Sequence, residues 1–375
     1  MTTSNSRGFV TLTITLIIMV MAVGVAVFTA RNKVTENRIL LNEIRHEQAF
    51  EAAESGLEYA LARLRKDATV GALGFTLTNA NVSGAQTTFS VTSVEDSVAF
   101  TSTSGESVIY PIARLTASGN SQDNSTTETH LETVVVTPIV TVGPTSPLTV
   151  GGNMTVGGSF SVAANPNGSG RGVPVSIWMK EPVDLSGSVK TCGQQEWNGG
   201  DCTSAIYSSK NNPGIDIVDN DPSFPSDLFA YVFGYSSSNW QDVKSDASYL
   251  LTSCSSLTGS ETGLIVVEGD CDLKVNIGSQ TNPALILVVD GDLTLNANKN
   301  YYGVIFSFHT DPSVSTSLKA NGTAEMNGAL LANHDVDISS GTFGVRFDEL
   351  ALGNIKTGSA FQRVWRLPGS WRDWQ

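Results

Sequence analysis

Asp270 and Asp272 flank Cys271, and Asp290 and Asp292 flank Gly291. Carboxylates projecting together from one face of a parallel β-helix can act as general acid and general base on a glycosidic bond. Asp beside Gly is equally the residue pair of a tight turn, and the turn is the preferred reading of all four. His309 with Asp311, or His334 with Asp335 and Asp337, supply donor types suited to a metal. Asp216, Asp219, Asn220 and Asp221 supply oxygens suited to calcium, but at none of these places does the spacing follow an EF-hand. Clustered carboxylates in an acidic chain read first as solvated turns. The sequence holds no HExxH, P-loop, GxSxG or dinucleotide fingerprint, and no cysteine has a nearby histidine arranged as a nucleophile pair. The chain is therefore read as a non-enzyme, with no cofactor and no resident metal.

The four cysteines, Cys192, Cys202, Cys254 and Cys271, all fall in one region and make an even set. They lack the tight CxxC pairs of a zinc site. Disulfides are expected, as in an oxidising compartment. Proximity favours Cys192 with Cys202 and Cys254 with Cys271, although four cysteines allow three pairings and the sequence does not choose among them.

Asp and Glu outnumber Lys and Arg 36 to 22, a net charge of −14, and no segment gathers enough basic residues to track a phosphate backbone. Nucleic acid is thus not expected as a partner. Charged residues make up 15% of the chain, while Gly, Ser, Thr, Asn and Val recur beyond about residue 76, as in β proteins with many short strands.

The elements that would carry this chemistry begin with a helix. Residues 9–28, FVTLTITLIIMVMAVGVAVF, carry no charge and are long enough to cross a hydrocarbon core. Arg7 precedes this run, but Arg31 and Lys33 follow it, so charge counting alone does not orient it. Gly24-Val25-Ala26 offers a signal-peptidase site. Continuity opposes that alternative: residues 31–66 contain no Pro or Gly-rich break, and Phe50, Leu57, Leu61 and Leu64 recur at helical spacing. One helix over 9–66 would be roughly 85 Å long, lipid-embedded at first and amphipathic at the end.

Arg7-Gly8-Phe9 heading that helix resembles the class III leader of prepilins. The segment Gln48-Ala-Phe-Glu-Ala-Ala-Glu-Ser-Gly-Leu-Glu58 resembles the end of the N-terminal region of PilX-type minor pilins, with Ala49, Ala52, Ala53, Glu54, Gly56 and Glu58 carrying the likeness. Similar segments occur in the large minor pseudopilins of type II secretion. The resemblance covers residues 7 to about 66. It implies cleavage after Gly8 by the prepilin peptidase, N-methylation of Phe9, and extraction of the helix into a filament by the inner-membrane assembly platform. It also implies major and minor pilins as partners. Major pilins carry Glu five residues into the mature chain, where this sequence has Thr13. An ionised carboxylate in an apolar core is costly unless paired, so a subunit with no neighbour above it does better with Thr13. That points to a tip or initiating subunit. The bland alternative is that Thr13 merely bonds back to its own helix.

Beyond the helix, residues 86–94, 107–117 and 130–142 read as strands of an antiparallel sheet, with a polar loop over 118–128. A sheet on the amphipathic half of a long helix makes a pilin-like module. After the linker Gly143-Pro-Thr-Ser-Pro147 come short apolar strands at 149–156, 158–162, 264–273, 285–295, 302–306, 328–332 and 336–338. Their spacing suits coils of a parallel β-solenoid, with a β-sandwich as the alternative. Residues 178–260 break the pattern and read as an insertion. The tail at 363–374, with three Trp and three Arg, suits either a contact surface or a solenoid cap.

The organisation expected is a leader at 1–8, a transmembrane segment at 9–28, a pilin-like module at 29–143, a linker at 144–148, and a C-terminal β-solenoid-like domain at 149–375 with its insertion at 178–260. The fold class is thus α+β followed by all-β. The function expected is that of a minor pilin of a type IV pilus, acting in assembly or initiation, held in the inner membrane with its body periplasmic and then displayed at the tip. A surface or carbohydrate ligand is a further partner class, which would make the subunit an adhesin. The alternatives are a type II minor pseudopilin, separable by neighbouring genes, and an anchored carbohydrate-binding or carbohydrate-active β-helix protein, which would need convergent carboxylates in one cleft.

Overall fold

The computed structural model describes residues 7–66, 75–82, 85–101, 107–156, 158–185, 187–314, 316–320, 323–338 and 342–373. Most of the expected leader, residues 1–6, and Trp374 of the tail lie outside them. The chain divides into two compact units. One comprises Met1–Ala62, Val70–Val135 and Arg366–Gln375, the other Arg63–Thr69 and Val136–Trp365.

The first unit is built on helix α1, Arg7–Lys66, 60 residues long. Its first half presents large apolar side chains to the exterior, from Leu12 through Phe28 to Ile44. The second half buries one stripe, Ala49, Ala52, Ala53, Leu57, Ala60 and Leu61, at the three- and four-residue spacing that keeps side chains on one helix face. Strands β1 (Phe75–Val82), β2 (Ala85–Thr101), β3 (Ser107–Asn120) and β4 (Thr127–Pro138) pair in chain order, each antiparallel to the last. The loop expected over 118–128 is shorter, because β3 continues to Asn120 and β4 starts at Thr127. Ser121 and Asp123 close the turn through the Thr126 and Ser125 backbone N–H groups.

In the second unit every ladder of the large sheet is parallel. Its path runs from Ile217–Val218 through Ile177–Met179, Leu148–Val150, Thr323–Ala332, Asn300–Phe308, Ala284–Val289 and Gly263–Glu268 to Tyr249–Leu251. A second parallel sheet runs Cys271–Leu273, Leu293–Leu295, Thr316–Ala320, Val336–Ile338 and Met154–Val156. No described sheet closes on itself.

Residues 284–289 are buried at every position. Ile286 and Val288 enter a core shared with Leu293 and Leu295 of the second sheet. Leu285, Leu287 and Val289 enter a second core with Phe229 and Phe233 of a short helix, α2 (Leu228–Phe233). Burial on both faces is why this strand reads as a continuous apolar run rather than an alternation.

The sequence reading of 178–260 as an insertion outside the strand pattern is corrected. Ile177–Met179, Ser188–Cys192, Ile217–Val218 and Tyr249–Leu251 all join the parallel sheet. Each is two to five residues long, too short for a period of two to stand out. Leu148, expected in the linker, is already strand. Ile139 and Val140, expected with the pilin-like module, belong to the core of the second unit.

Candidate filament-assembly surface

The motif at 48–58 is, in the structure, a packing surface. Ala49, Ala52 and Ala53 are fully buried, and β3 crosses them at Gly119. A β-carbon on Gly119 would overlap backbone atoms of α1, coming within 2.7 Å of the Ala52 carbonyl carbon. One on Gly56 would meet the Ala117 β-carbon at 3.0 Å and the Phe89 ring at 3.1 Å. Small residues on both elements let helix and sheet approach closely.

Polar residues of the same segment tie its edge to β4 and the tail. Glu54 pairs with His130 at 3.2 Å and accepts from the Trp371 indole N–H at 3.2 Å. The Phe50 ring stands edge-on to His130 at 4.5 Å. Glu58 pairs with Arg366, which also reaches Glu132 at 3.4 Å. Glu132 is 5% exposed, and burial pushes its carboxyl above the usual range against the opposing pull of Arg366. Leu131 and Arg372 exchange backbone hydrogen bonds at 2.8 and 2.9 Å, and Leu367 N–H donates to the Thr133 carbonyl. The tail, allotted in the sequence reading to the C-terminal domain, therefore belongs from Arg366 onward to the first unit, held by strand pairing and charge.

The first half of α1 is the other part of this surface. It is long and apolar enough to cross a membrane, and no residue of its apolar window is buried within the chain. Gly8 and Phe9 lie in its first turns, and Thr13 lies on it, exposed.

Residues 7–58 match the family described as PilX N-terminal. The chain carries a type IV minor pilin-like N-terminus of the PilX kind. Its helix fits a membrane-anchored pilin that ends up in a pilus among other pilins. No curated protein sequence matches the chain. A solved structure, the competence-associated pilin ComZ from Thermus thermophilus, aligns at 11% identity and a TM-score of 0.28, over 88% of this chain and 97% of that one.

Of the residues singled out for chemistry in this pilin-like chain, the structure brings His309 to 3.5 Å from Asp290 and its ring to 4.8 Å from that of His334, while the aspartates are taken up by the turns. Asp270 accepts from Asp292 N–H at 3.0 Å, Asp290 from Thr310 N–H at 2.8 Å, and Asp272 pairs with Lys274 at 2.9 Å. Asp270, Asp272 and Asp290 brace successive turns, Asp272 by accepting from the Asn296 side-chain amide. Asp219 accepts from Val183 N–H, Asp221 from the Trp178 indole, and buried Asp216 from the Ser208 hydroxyl. Among the described residues no three His, Cys, Asp or Glu side chains form a group able to hold a metal. Cys192 is bonded to Cys202 and Cys254 to Cys271, the pairing that proximity favours. Sequence reasoning missed Phe89, Gly119, His130, Arg366 and Trp371 as partners of the motif. The signal was strongest for Arg366 and Trp371, which lie in the Trp- and Arg-rich tail at 363–374, and weakest for Phe89, Gly119 and His130 in ordinary strand segments.

Proposed function

We propose that this chain is a tip or initiating subunit of a type IV pilus. One observation carries the reading: a single 60-residue helix buries its second half under its own sheet and leaves its apolar first half without intrachain cover. A bare apolar helix of that length suits lipid first and a filament core of neighbouring helices afterwards. In this reading the prepilin peptidase cleaves after Gly8 and Phe9 is N-methylated. The inner-membrane platform then moves the helix among major and minor pilins. Thr13, in place of a carboxylate, supports a position with no neighbour above. The distal body is read as a β-solenoid, which the two sets of parallel ladders support. It is displayed for surface contact at the tip, where its size crowds no adjacent subunit.

Mass spectrometry of the mature protein tests the processing step, with N-methylated Phe9 as the expected first residue. A chain starting at Val27, after Ala26, would overturn it. Gold labelling of the distal body on sheared filaments should mark ends, and label along the shaft would refute the tip position.

A further inference from the structure

One corner of the distal body encloses a cavity of about 320 Å³. It lies where the turn at 151–153 meets the turns at 309–313 and 333–335 and the segment leading into α2. Side chains of one turn brace the backbone of the next. Asn333 accepts from His309 N–H and donates to the His309 carbonyl, both at 2.8 Å. Asp335 accepts from Asn153 N–H at 2.7 Å. The corner is thus held in shape before any ligand arrives, which lowers the ordering cost of binding.

The lining is mostly polar, with Lys180, Glu181, Asp335 and His309 on its walls and Phe224 as an apolar wall. The Phe224 ring packs on Trp178 at 4.8 Å, and Trp178 is itself anchored to Asp221 at 2.8 Å. His309 is 6% exposed, and its Nε2 has no hydrogen-bond partner.

Charge and composition narrow the occupant. Lys180 is outnumbered by Glu181, Asp227 and Asp335, so the lining disfavours phosphates, sulfates and uronates. Among the described residues no cluster suits a metal ion. A neutral molecule that both donates and accepts hydrogen bonds, and has an apolar face to lay on Phe224, meets these conditions. The volume falls at the small end of ligand sites, which run from roughly 300 Å³ upward.

We infer that this cavity binds a neutral hexose-type sugar residue of a surface glycan. The inference rests on the reading that the distal body is displayed outside the cell. The test uses the full-length processed chain in a phosphocholine detergent, which has no sugar headgroup. Saturation-transfer NMR and calorimetry are run with glucose, galactose, mannose and N-acetylglucosamine, and with glucuronate and inorganic phosphate for comparison. Saturable millimolar binding of at least one neutral sugar is expected. Phe224→Ala and, separately, Glu181→Gln should each weaken it at least tenfold, and both anions should bind at least tenfold more weakly than that sugar. Glu181 is half-buried at the cavity wall, so its variant should unfold at the wild-type temperature. No saturation by any of the four sugars, affinity untouched by both variants, or tighter binding of an anion would overturn the inference. Such a failure leaves the filament reading standing, because that is decided by the mature N-terminus. A chain starting at Val27 would instead remove the filament and leave sugar binding in place.

Discussion

Gly119→Ala tests whether helix and sheet of the first unit are held by close backbone approach. The added methyl would overlap the backbone of α1 at Ala49, Ala52 and Ala53, and a backbone cannot swing aside as a side chain can. Relief requires the helix to lift from β3, and a gap of about 0.5–1 Å already forfeits a quarter to a half of each dispersion contact. Overpacking of this kind costs about 1–3 kcal/mol, partly offset by about 0.5–1 kcal/mol because alanine orders more readily than glycine in a strand. The net is about 1.3 kcal/mol, which corresponds to roughly 10-fold in an opening equilibrium. Hydrogen exchange read peptide by peptide is the assay, since the chain has two units and a single melting temperature would mix them. Residues 49–61 should exchange roughly 10-fold faster, while 284–289 in the second unit stay unchanged. Two comparisons calibrate the result. Gly143→Ala meets nothing within 4 Å and should be neutral. Gly56→Ala gains about 1 kcal/mol of helix propensity against a tight 3.0 Å contact with the Ala117 β-carbon and one that the Phe89 ring can relieve, and should fall near zero. Equal exchange in Gly119→Ala and Gly143→Ala would refute the reasoning.

Glu132→Gln should change how the stability of the first unit depends on pH. Burial raises the folded carboxyl above its ordinary 4.5. The folded state therefore keeps this proton to higher pH than the unfolded chain, and the stabilisation present below the unfolded value is lost as pH rises through the folded one. The variant lacks that loss, so its protection relative to wild type should grow as pH rises from the ordinary carboxylate range through the raised folded value; parallel profiles would refute it. Replacing Cys254 and Cys271 together by serine opens a bond with a sequence separation of 17. It should lower stability by about 3 kcal/mol if chain entropy governs, read as a drop in the urea midpoint of the distal body. Thiol labelling of unfolded, unreduced wild type should find essentially none.

The sequence alone determined the helix, because its evidence is local. A charge-free run of membrane length and a stripe at three- and four-residue spacing need no partner to be recognised. Long strands such as 263–268 and 284–289 were legible for the same reason. The two- and three-residue strands at 217–218 and 249–251 were not, since a parallel ladder takes its register from neighbours, and so few residues show no period of their own. The aspartates flanking Cys271 and Gly291 could be read as turn residues or as catalytic carboxylates until the structure showed Asp270, Asp272 and Asp290 each accepting from the next turn. The assembly motif was visible as a string of alanines and glutamates, but its meaning came from the tertiary structure. Glu54 meets Trp371 across 317 residues, and Gly119 lies on Ala53 from another element. Contacts so distant are made only when the chain folds, and the residue types at each end are too ordinary to announce the partner.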